Sequence, residues 1–147
     1  MSNNNRYAPP TMRDPLTRYP GYALRRAANA TAADLAARLA LLGLKQVDAT
    51  ILLLVDANPD VTASAIGRQL DIQRANMVPL LKRLEDAGLI ARNPLDGKSQ
   101  GLVLTDAGRA TMEQARGVIE AFEASLLARI PAQHRDHLLP ALDALWR

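Results

Sequence analysis

The sequence contains no cysteine, which excludes disulfides, thiolate metal sites and a thiol-based redox sensor. Aromatic residues make up only 3%, while leucine and alanine dominate, a composition that points to a largely helical chain. No apolar run approaches the roughly 18 residues of a membrane span. The opening stretch, MSNNNRYAPPTMRD, lacks the apolar centre of a secretory signal, so a soluble, cytoplasmic protein is the default expectation. Catalytic chemistry is scarce as well. The two histidines, His134 and His137, have no clustered nucleophile. Even with Asp136 and Asp143 beside them, they are too few for a metal site. No glycine-rich phosphate loop occurs. Neither an enzyme nor a cofactor nor a metal is expected.

What the chain does carry is an uneven distribution of positive charge. The net charge of +3 is modest for 147 residues. Within residues 1–30, however, Arg6, Arg13, Arg18, Arg25 and Arg26 stand against Asp14 alone. Between 68 and 98, Arg68, Arg74, Lys82, Arg83, Arg92 and Lys98 outnumber Asp71, Glu85, Asp86 and Asp96. Gathered on one face they would attract a phosphate backbone; taken singly, each is an ordinary solvated residue.

The apolar pattern divides the chain into four parts. Residues 1–20, with Pro9, Pro10, Pro15 and Pro20, form an extended arm. Residues 21–57 hold two helices. The first runs from Gly21 to Gly43 on a stripe of Leu24, Ala28, Thr31, Leu35, Leu39 and Leu42. The second spans Gln46 to Ala57, with Val47, Ile51, Leu54 and Val55 inward and Asn58-Pro59 as its stop. Residues 58–108 begin with a short helix capped by Thr62, carrying Ala65, Ile66 and Leu70. A turn at Asp71-Ile72, with Ile72 as a buried plug, leads to a helix from Gln73 to Ala87 on Met77, Leu80, Leu81 and Leu84. After Gly88, two short strands flank a polar tip at 96–100. Residues 109–147 continue a long helix, capped by Thr105 and broken before Pro131, then a final helix from His134 to Trp146. The expected fold is mainly α with a small β-hairpin wing: a winged helix-turn-helix with flanking N- and C-terminal helices whose apolar stripes suit a second copy.

Helix, turn, helix and hairpin in that order can place a helix in a DNA major groove and a loop beside it. The first turn of the fourth helix carries Gln73, Arg74 and Asn76, residue types that pair with adenine or guanine edges. The amides could instead cap the helix locally. Lys82 and Arg83 suit phosphate contacts, as do Thr62 and Ser64 near the start of the third helix. Arg92 and Lys98 suit the minor groove beside the wing, with Asp96 holding the shape of the tip by pairing with a basic side chain. Pro79 conflicts with a regular helix; either the helix kinks there or it begins later.

The run from Ile66 to Gly108, with its pattern L-x-R-L-E-D-A-G-L-I-x-R-N-P…D-G-K…L-x-L-T-D-A-G, resembles the MarR family of bacterial winged-helix regulators. Leu81, Arg83 to Ile90, Arg92, Asp96, Lys98 and Leu104 to Gly108 carry it. The resemblance implies a homodimer bound to double-stranded DNA at a pseudo-palindromic operator. It also implies a transcriptional repressor released by a small aromatic acid or its acyl conjugate. Lys98 and Ser99-Gln100 depart from the family's arginine-rich wing, because lysine lacks the planar fork of arginine. By the same resemblance, an effector pocket would lie between the dimerisation helices and the DNA-binding lobe, near Tyr22, Arg25, Arg26 and Asp48. Two alternatives remain: a winged-helix protein-interaction module without specific DNA binding, and a DNA-binding protein that answers to no ligand.

Overall fold

The computed structural model describes residues 12–96 and 99–146; the expectations for Arg6 and Lys98 lie outside them. The elements run α1 (Pro20–Ala40), α2 (Gln46–Ala57), β1 (Val61–Thr62), α3 (Ala63–Gln69), α4 (Arg74–Asp86), β2 (Ile90–Pro94), β3 (Gln100–Leu104), α5 (Asp106–Arg129), a 3₁₀ turn (Ala132–His134) and α6 (Arg135–Asp143). The fold is mainly helical with a small sheet, as the composition implies. Two hydroxyl caps set helix starts: Thr62 accepts the Ala65 N–H at 3.2 Å, and Thr105 accepts the Gly108 N–H at 2.9 Å.

Several boundaries differ from the sequence expectation. Helix α1 ends at Ala40, and Gly43 (φ +71°) shapes the turn that follows. Gln73 is the N-cap of α4 rather than its first residue, and Ile72 is only partly buried against the core. The last helix begins at Arg135, one 3₁₀ turn after Pro131, and carries Pro140 within it.

The hairpin gains a third strand. Strand order is β1-β3-β2, all antiparallel, with Val61 opposite Leu102 and Arg92 opposite Leu102 on the other side. Val61 and Thr62 therefore form a short strand before the helix. Asp60 turns the chain in the left-handed region (φ +58°). A Cβ at Gly101 would lie 2.8 Å from the Asp60 Cα, so the absent side chain permits this approach. Asn93 Nδ2 then donates to Asp60 Oδ1 at 2.7 Å, tying the wing to the β1 turn.

Leu39, Ile51, Leu52, Ile66, Leu81, Leu84, Leu102 and Met112 form the centre of the core, joining α1 through α5 and β3. Helix α4 contributes Met77, Leu81 and Leu84 from one face. It continues through Pro79 without a break. The N–H that Pro79 lacks would have bonded the Ala75 carbonyl, and Ala75 is exposed, where water can take its place. Core packing on the opposite face outweighs the local penalty. Helix α6, in contrast, buries none of its residues, and Leu139, Leu142 and Leu145 stand exposed at the chain end.

Candidate nucleic-acid interface

An open cleft of about 710 Å³ lies between α3, α4 and the wing, with Thr62, Ser64, Arg68, Gln73, Arg74, Arg92 and Gln100 among its walls. Three local features build it. Asp71 (φ +52°) reverses the chain after α3, and the Ile72 N–H donates to the Gly67 carbonyl at 2.8 Å. The turn then presents the N-terminus of α4 outward. Across the cleft, the β2–β3 pairing sets Arg92 and Gln100 on the facing wall, where the Arg92 Nη1 donates to Gln100 Oε1 at 3.4 Å.

The first turn of α4 is unencumbered. Gln73 forms no side-chain cap, and among the described residues the side chains of Gln73, Arg74 and Asn76 have no hydrogen bond or ion pair. All three are exposed. Gln73 and Arg74 line the cleft, whereas Asn76 lies off it. Ser64 is exposed at the start of α3, while the Thr62 hydroxyl is occupied by its cap.

The cations further along are held by carboxylates. Lys82 pairs with Asp86 at 2.9 Å on the surface of α4, and this carboxylate raises the Lys82 pKa above its ordinary value. Arg92 Nε donates to Glu85 Oε1 at 2.7 Å, linking β2 to the last turn of α4. Arg83 reaches back to α2, where its Nη2 donates to Asp48 Oδ1. The other Asp48 oxygen accepts the Lys45 N–H at 2.8 Å and so caps α2. Asp48 thereby holds α2 and α4 together. Arg83 likewise serves as a tie between helices before it serves any phosphate. Asp96 is exposed in the wing bend and has no ion pair among the described residues.

The other residues assigned to an effector pocket form a separate cluster. Tyr22 donates its hydroxyl to Asp14 Oδ2 at 2.8 Å and accepts from Arg26 Nη1 at 3.2 Å. The guanidinium carbons of Arg25 and Arg26 lie 5.6 and 5.7 Å from the Tyr22 ring centre, within cation–π range. The Leu16 N–H and the Tyr22 hydroxyl, with the Arg26 charge, hold the Asp14 carboxyl below its usual range. Among the described residues, no hydrogen bond, ion pair or ring contact joins this cluster to Asp48.

Sequence reasoning missed Asp60 and Glu85, whose partners lie in other elements, and Val78. This last residue is exposed on the cleft wall; its place one turn after Arg74 was the available clue.

A helix-turn-helix followed at once by a two-stranded wing, with the first turn of the second helix bare, defines a winged helix-turn-helix protein. A family model described as the MarR family matches residues 42–99. The chain is 30% identical over 127 residues to the HTH-type transcriptional repressor Rv2887 of Mycobacterium tuberculosis, covering 85% of this chain and 91% of that one. The transcriptional repressor CouR bound to a 23-mer DNA duplex superposes with a TM-score of 0.82 at 36% identity, covering 90% of this chain and 95% of that chain. CouR bound to p-coumaroyl-CoA gives 0.81 at 34%, covering 90% and 94%. Rv2887 in complex with p-aminosalicylic acid gives 0.69 at 29%, covering 87% and 98%. The chain belongs to the MarR family of transcriptional regulators. No helix among the described residues is long and apolar enough to cross a membrane.

Proposed function

We infer that this chain is a homodimeric, sequence-specific DNA-binding repressor, released from a pseudo-palindromic operator by a small aromatic acid or its acyl conjugate. The observation that carries it is the bare first turn of α4 at the rim of a cleft shared with the wing. Gln73, Arg74 and Asn76 would meet base edges there. Ser64 and the N-terminus of α3 would meet phosphate, with Lys82 following along α4. Arg92, steadied by Glu85, would face the flanking minor groove, assisted by Lys98 at the tip. Residues 58–108 would thus form the DNA-binding lobe.

The dimer follows from what the chain leaves uncovered. Leu24 on α1 and Leu139, Leu142 and Leu145 at the C-terminal end are exposed, and a second copy would bury them. Two lobes related by a two-fold axis read a pseudo-palindrome. The effector class is supported by the ligands named for CouR and Rv2887. In this chain Tyr22, Arg25 and Arg26 would supply a ring and two cations on α1 for an anionic aromatic molecule. Action at a chromosomal operator would require a cytoplasmic protein.

The test is a band-shift assay on the gene's own upstream region, with and without aromatic acids and their thioesters. Salt-sensitive, specific retardation that these compounds reverse is expected. Absence of specific retardation at moderate salt would defeat the repressor assignment, and retardation insensitive to every compound would defeat the ligand assignment. Arg74→Ala should relax base preference; a loss equal on all sequences would reassign Arg74 to phosphate.

A further inference from the structure

We propose that Val78, flanked by Ala75 and Pro79, reads the 5-methyl groups of thymines in the operator; this rests on the DNA-binding function inferred above. The inward face of α4 is used up by Met77, Leu81 and Leu84. On the outward face, Ala75, Val78 and Pro79 are contiguous at helical spacing, and all three are exposed. Val78 is 60% exposed, and it stands on the cleft wall one turn after Arg74. An apolar, β-branched side chain left in water between Arg74 and Lys82 adds nothing to the core. It offers no donor or acceptor, so it cannot take part in hydrogen-bond readout. The thymine methyl is the one apolar feature of a base edge in the major groove. A helical valine has essentially one rotamer, so its methyl groups are fixed in direction before binding. The exposed leucines assigned above to a second copy belong to α1 and the C-terminal end, not to α4.

The experiment starts from a DNA duplex that the full-length protein selects from a randomised pool. Each thymine of that duplex is then replaced singly by deoxyuridine, which removes the methyl and keeps every hydrogen-bonding group. The expected result is a roughly fourfold loss of affinity at one or two thymines per half-site, the effect of one buried methyl-sized group. Val78→Ala should weaken binding to the thymine duplex by a similar factor. It should also lose its sensitivity to deoxyuridine at those positions, so that the two changes are not additive. Indifference of the wild-type protein to every replacement would overturn the proposal, as would unchanged sensitivity in Val78→Ala. If the pool yields no enriched sequence, the DNA-binding function fails and this proposal with it; enrichment without methyl sensitivity overturns this proposal alone.

Discussion

Removing the Asp48 carboxylate should cost about 2 kcal/mol, and removing its partner should cost more. Asp48→Ala deletes the acceptor for the Lys45 N–H at the start of α2, a capping loss of about 1 kcal/mol. It also frees Arg83, whose side chain is 39% exposed against 4% for Asp48. The guanidinium can turn toward water, so the lost pair adds only about 1 kcal/mol rather than the 3–5 of a fully buried one. In a chain of 147 residues this lowers Tm by about 4–8 °C. Arg83→Ala instead leaves a carboxylate sealed in the core with one backbone donor, at about 3 kcal/mol. Urea denaturation followed by far-UV circular dichroism, at one fixed protein concentration, measures all three variants including the double one. The double variant should fall short of the sum by at least about 1 kcal/mol. Strict additivity, or an aspartate variant less stable than the arginine variant, would refute this account of the pair.

Three further expectations follow from single contacts. Gly108→Ala would place a Cβ 1.8 Å from the Leu89 carbonyl oxygen, which also accepts the Thr105 N–H. Thermal unfolding should show a loss above about 3 kcal/mol, and a near-normal melt would contradict the close approach. Tyr22→Phe should raise the Asp14 pKa only partway toward its ordinary value, because the Leu16 N–H bond, the larger cause, survives; an NMR titration of the carboxyl reads this. Since the folded value is depressed, the contact between the arm and α1 is intact above the unfolded aspartate range of about 3.9 and is lost as pH falls through the lowered value. Leu142→Asp should yield a monomer by sedimentation equilibrium; an undisturbed dimer would remove α6 from the proposed interface.

The parts of this fold that were legible in the sequence are those decided by neighbours along the chain. Helix α2 falls at Gln46–Ala57 because its apolar rows and the Asn58-Pro59 stop are local. The Thr62 and Thr105 caps are local too. Strand β1 was not legible, since two residues have no period and their partners on β3 lie far along the chain. Pro79 was misleading because the penalty is local while the compensating contacts of Met77, Leu81 and Leu84 are tertiary. At the site, the exposed first turn of α4 could be anticipated from its polar residues. Which cations are already engaged could not, because Asp48 and Arg83 are 35 positions apart, and Glu85 reaches Arg92 only after the chain turns into β2.

Those ion pairs gather at one end of α4. Lys82, Arg83 and Glu85 are all engaged, with Arg83 tied to α2 and Glu85 to the wing, while the first turn stands free. The Arg83 and Glu85 pairs thus fix the C-terminal half of α4, adding to the core contacts of Met77, Leu81 and Leu84 that seat its inward face. From Arg83 back to Arg74 the rise is about 13 Å at 1.5 Å per residue. A tilt of about 10° at Arg83 would shift the Arg74 backbone by about 2 Å, well outside the roughly 0.5 Å range of good hydrogen-bond distances. Phosphate contacts made by long, mobile side chains tolerate such a shift; base contacts do not. Asp48→Ala, although far from any base edge, should therefore lower affinity for the selected duplex more than affinity for random DNA. An equal loss on both, measured at the same salt concentration, would show that the Asp48–Arg83 tie stabilises the fold without aiming the helix.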